Sequence, residues 1–130
     1  MSLRLPFALA LLLAGLSVTH AAPAYEGRWG DNPAACRNTR ASNTDDLPIV
    51  ITRRLIETFA SSCRVLSVRR QGAVKSAAKG AVWRLRTRCR DEGQTETEPR
   101  ALDTVVLRVS GNRLSMRDMN GSHTLMRCPR

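Results

Sequence analysis

The mature part of this chain predicts an all-β domain, mainly antiparallel: a small twisted meander sheet or partly closed barrel, with a short N-terminal helical turn and two disulfides. Three observations carry that expectation. Trp83, Leu85, Thr87 and Cys89 alternate with Arg84, Arg86, Arg88 and Arg90, and a period of two sends alternate side chains to opposite faces of a strand. Short β-branched runs are punctuated by turn formers, with Asn120-Gly121 the strongest two-residue hairpin signal. Four cysteines in so small a chain read as a disulfide framework.

In chain order, residues 1–24 read as a cleavable secretory signal. Arg4 supplies the positive start, Leu5 to Leu16 form an apolar run, and small residues follow. A spanning helix needs roughly 20 apolar residues, so the run is short for a membrane anchor. Thr19-His20-Ala21 and Ala22-Pro23-Ala24 both fit the small-x-small cleavage pattern, which places the cut after Ala21 or Ala24. Cleavage removes Arg4 and no acid, lowering the formal charge of +10 by one. Residues 25–130 then form a single disulfide-stabilised β-domain, periplasmic or secreted, with no later segment apolar enough to span a membrane.

Gly27-Arg28-Trp29 is an apolar anchor near the mature start. Asp31 or Asn32 caps one helical turn, with Pro33 at its first position. Ile49 to Thr52 follows Pro48 and reads as a strand, Arg53-Arg54 as a turn and Leu55 to Phe59 as the return strand; one helix over Ile49–Ala60 is the rival. Cys63 to Val68 is a further strand, Arg69 to Gly80 a soft connector, and the arginine-bearing strand comes next. Asp91 to Asp103 is a polar loop. Val105, Leu107 and Val109 point inward, Gly111-Asn112 turns the chain, and Leu114 and Met116 continue inward. In the last strand Thr124, Met126 and Cys128 share the core face, opposite His123, Leu125 and Arg127. That makes six or seven short strands.

Four cysteines allow three connectivities. Sequence neighbours favour Cys36–Cys63 and Cys89–Cys128, each bridge being worth about 3–4 kcal/mol by chain entropy. No pair has C-x-x-C spacing, and His123 is the one imidazole left after cleavage, so metal and other cofactors are not expected.

The candidate site is a basic face: Arg84, Arg86 and Arg88, with Arg90 on the same strand and Arg108, Arg113, Arg117 and Arg127 from neighbouring strands. Such a face attracts phosphate, carboxylate or sulfate groups in a salt-dependent way. The plainer reading is a solvated surface covered by the acids of the Asp91–Glu98 loop. Lys75 and Lys79 are the only lysines, and a gene's base composition alone can produce that bias towards arginine. Nucleic acid is disfavoured as a partner, because export removes the protein from it and few aromatic rings are free to stack on bases. An anionic envelope polymer or an acidic protein suits the compartment better.

Catalysis has two thin candidates. Ser122-His123 sets a nucleophile beside a base, but neighbours in a strand diverge. Glu92, Glu96 and Glu98 offer carboxylates in a polar loop where nothing shifts a pKa upward. The expectation is therefore a non-catalytic binding or envelope-associated module. The alternative is an inhibitor of a periplasmic or foreign hydrolase, presenting the Asp91–Asp103 loop or the Gly72–Gly80 connector. An enzyme ranks third.

Gly27 and Trp29, Pro33 and Cys36, Pro48-Ile49, Cys63, Trp83 and Cys89, Leu114, Met116 and Asp118, Gly121-Ser122 and Arg127-Cys128-Pro129 together form a pattern. It resembles small, uncharacterised exported proteins of Gram-negative bacteria with four cysteines. That resemblance implies the periplasm and a β-domain, and brings no catalytic residues. Gly27-Arg28-Trp29 is also similar to the opening of lipocalin-like barrels, although the chain is shorter than a usual eight-stranded member, which argues against a ligand-holding barrel.

Overall fold

The computed structural model describes residues 21–71 and 80–130. The charged start and apolar run of the expected leader therefore lie outside the described residues, as does most of the Gly72–Gly80 connector.

Eight antiparallel strands form a closed barrel in simple chain order: β1 (Gly27–Gly30), β2 (Ile49–Ile51), β3 (Leu55–Glu57), β4 (Ser61–Gln71), β5 (Ala81–Asp91), β6 (Ala101–Ser110), β7 (Arg113–Asp118) and β8 (Gly121–Arg127). Closure comes from β1 against β8, with Trp29 opposite Arg127 and Gly30 opposite Met126. The all-β expectation holds, but Gly27-Arg28-Trp29 is a strand and not only an anchor, which raises the count to eight. A chain this short closes a barrel because β1, β2 and β3 have only three or four residues each.

Local chemistry explains the short pieces. Asn32 rather than Asp31 caps the helical turn α1 (Pro33–Arg37), its Oδ1 accepting from Ala35 N–H at 2.9 Å, with Pro33 where a missing N–H costs nothing. Between β2 and β3, Thr52 Oγ1 accepts from Arg54 and Leu55 N–H groups at 3.2 and 3.0 Å. That tight turn excludes the rival helix over Ile49–Ala60. In β4 an extra residue bulges between Val65 and Ser67, leaving Leu66 unpaired and pointing outward.

The interior is filled by side chains. Trp29, Ile51, Leu85, Leu107 and Leu114 are each almost fully buried, and Tyr25, ahead of β1, enters the same cluster with its ring edge-on to Trp83 at 5.2 Å. Trp29 Nε1 donates to the Tyr25 carbonyl at 2.9 Å, so the one polar atom of that ring is satisfied.

Two expectations are corrected. In β8 it is Leu125 that is buried, while Thr124 is exposed and Met126 half-buried. The cause is parity. A two-residue turn over Met119-Asn120 pairs even positions with odd ones, so Leu114 faces Leu125. The disulfides are Cys36–Cys128 and Cys63–Cys89, not Cys36–Cys63 and Cys89–Cys128. Cys63 and Cys89 are direct partners across the β4–β5 ladder. Cys36, on α1, meets Cys128 because barrel closure brings the two ends together: Cys128 N–H donates to the Arg28 carbonyl at 2.9 Å. Gly30 makes room for this bridge, since a Cβ there would stand 2.9 Å from Cys36 Sγ.

Candidate functional site

The period-two strand places its side chains as the sequence predicts. Leu85 and Thr87 are buried, Trp83 nearly so, and Arg84, Arg86 and Arg88 are exposed on the outer face. Register then adds what no single strand reveals. Arg88 lies directly opposite Arg64, and Arg84 directly opposite Arg69, both partners coming from β4. On the other side of β5, Arg84 faces Val106, which in turn faces Arg117. Arg108 points outward one row further along, between Val82 and Ser115. Arg113 is exposed at the start of β7. The outer face of β4–β7 is thus a field of guanidinium groups with two like-charge pairs set across a ladder.

Side chains directly opposite in an antiparallel pair have Cβ atoms only about 5 Å apart, and like charges there destabilise. Two features relieve part of the repulsion. With its amide oriented to satisfy both polar atoms, Gln71 accepts from Arg84 Nε and Nη2 at 3.2 Å each. The acidic loop also supplies Glu96, which pairs with Arg90 and, at 3.8 Å, with Arg100. The hydrogen bond from Arg90 and its charge, helped by Arg100, hold the Glu96 carboxyl below its ordinary pKa. Glu98 shares a recess with Arg64, Arg88 and Arg100, while its Oε2 accepts from Thr95 N–H at 2.9 Å. The loop acids therefore serve one end of the field. Among the described residues, Arg84, Arg86, Arg88 and Arg117 form no ion pair with an acid.

Arg127 does not belong to this face. Its guanidinium lies 4.1 Å from the Trp29 ring centroid and donates to the Glu26 carbonyl at 3.0 Å and to the Ala24 carbonyl. It is a structural clamp over the closed end of the barrel. Arg64 and Arg69 take its place in the field. Arg64 escaped sequence reasoning because β4 lacks the strict alternation of β5 and carries a bulge, and Arg69 because β4 runs on to Gln71, into what the sequence reads as the start of the connector.

The catalytic candidates do not converge. Ser122 faces Arg117 and His123 faces Met116, on opposite sides of β8, and both are exposed. Glu92 lines a groove with Arg40 and Phe59, whereas Glu96 and Glu98 line the recess beside Arg64. The three carboxylates are thus divided between two depressions. Among the described residues, no three His, Cys, Asp or Glu side chains gather as metal ligands would. No helix of the described residues is long and apolar enough to cross a membrane. No protein-family model, curated protein or solved structure matches this chain.

Proposed function

We propose that the mature protein is an exported, non-catalytic binding module whose outer arginine face holds an anionic component of the cell envelope. The observation that carries this reading is the pairing of Arg64 with Arg88 and of Arg69 with Arg84 across one ladder. Like charges so placed cost stability in the free protein, and a bound polyanion turns that cost into attraction. The two disulfides support maturation in an oxidising compartment. The export signal, the periplasmic or secreted location and the resemblance to exported four-cysteine proteins belong to the same proposal.

The test is retention on immobilised lipopolysaccharide and on peptidoglycan across a salt gradient. Wild type is expected to bind at low salt and to release as salt rises. The triple variant Arg84→Ala, Arg86→Ala, Arg88→Ala is expected to elute markedly earlier while melting no lower than wild type, since it relieves both like-charge pairs. Elution of the variant together with wild type would refute the arginine face.

A further inference from the structure

The arginine field is not purely polar. Leu66, Leu102 and Met119 are 46, 57 and 63% exposed, high values for large apolar side chains. The two leucines are not scattered. Leu66, pushed outward by the β4 bulge, and Leu102, directly opposite Arg88, line the same recess as Arg64 and Arg88. Met119 lies apart in the β7–β8 turn, where its N–H donates at 3.2 Å to Asp103, a residue of the opposite, inward parity in β6. Arg86 stands one row further along, opposite Thr104.

From this interleaving we infer that the β4–β6 outer face docks onto a bilayer carrying anionic phospholipid headgroups, an inference that rests on the arginine face proposed above. A hydrophilic polyanion rewards guanidinium groups and gives exposed leucines nothing to enter. A bilayer surface rewards both. Arginine forks pair with phosphate oxygens while their methylene stems and the neighbouring apolar side chains sink below the headgroups. Base stacking has no counterpart here, since the exposed aromatic Phe59 lines a separate groove with Arg40. Of the two acids in the recess, Glu96 pairs with Arg90 and Arg100 and Glu98 accepts the Thr95 N–H, and among the described residues neither forms an ion pair with Arg64 or Arg88.

The experiment compares sedimentation with two kinds of vesicle, phosphatidylcholine alone and phosphatidylcholine with phosphatidylglycerol, against retention on immobilised polyphosphate. Wild type is expected to bind only the anionic vesicles, and to bind polyphosphate as well. The variant Leu66→Ser, Leu102→Ser changes exposed positions and should keep its melting temperature. It is expected to lose about tenfold in vesicle affinity while its polyphosphate retention stays at the wild-type value. Vesicle binding equal to wild type in this variant would overturn the lipid inference, as would wild-type binding to polyphosphate but not to vesicles. Parallel loss on both supports would overturn the separate apolar role. Failure of wild type on every anionic support would instead remove the arginine reading beneath it.

Discussion

Arg127 shows how one residue can look like surface and act as core. It ends a strand that begins with exposed residues, and its charge alone suggests membership of the basic field. Its position opposite Trp29, at the seam between β1 and β8, decides otherwise. There the guanidinium covers the indole and its donors reach two carbonyls of the segment ahead of β1. Arg127→Ala is expected to cost about 2 kcal/mol, because charged hydrogen bonds and a cation–π contact are lost together at a half-buried site. Arg127→Lys should recover less than half of this, since a single ammonium lacks the planar fork that spans Glu26 and Ala24. Urea midpoints of the two variants, followed through tryptophan fluorescence, check both statements. The same contacts distinguish the two cleavage positions that the sequence suggests. A chain starting at Ala22 keeps the Ala24 acceptor, whereas one starting at Tyr25 loses it and should melt at a lower temperature.

Among the elements, legibility followed periodicity. β5 was readable because Trp83 through Arg90 alternate without interruption, and the hairpin at Gly111-Asn112 because both flanking strands do the same. β1 was hidden, since a strand of four residues with two glycines carries no period. In β8, Thr124 and Met126 depart from the expected core face because the parity of the two-residue turn overrides the pattern within the strand, while Cys128, just past its end, is buried as expected. Arg64 and Arg69 depended on the β4–β5 register, which a bulge shifts and no composition reveals. The acidic loop was expected to cover the arginines and does so over only part of the field. Its effect is testable through Glu96. Glu96→Gln removes the negative charge between Arg90 and Arg100 and should raise retention on a polyanion at pH 7. Because the wild-type carboxyl is held below its ordinary pKa of 4.5, its ion pairs are fully present above that value and are lost as pH falls through the lowered one. The difference between Glu96→Gln and wild type should therefore persist down to pH 4.5 and vanish at lower pH, as salt-gradient elution at a series of pH values will show.

For the whole molecule, the weak point is closure. The β4–β5 ladder has ten register pairs and holds Cys63 beside Cys89 whether or not they are bonded. The seam between β1 and β8 has two register pairs, and the Cys36–Cys128 bridge beside it spans 92 residues of sequence. Chain entropy alone ranks the bridges in the same order: closing the longer loop is worth about 4–5 kcal/mol and the 26-residue one about 3–4. Packing sharpens that ranking. Without the outer bridge, α1, the Tyr25 segment and the Arg127 clamp are held only by short strands, and the indole of Trp29 depends on all three. Cys36→Ala with Cys128→Ala is therefore expected to lower the urea midpoint more than Cys63→Ala with Cys89→Ala, and to expose Trp29 to a water-soluble quencher before global unfolding. Non-reducing digestion of the wild type should release one linked peptide pair containing Cys36 and Cys128 and another containing Cys63 and Cys89. A larger loss from the Cys63–Cys89 variant would show that the long hairpin, and not the seam, limits the stability of this barrel.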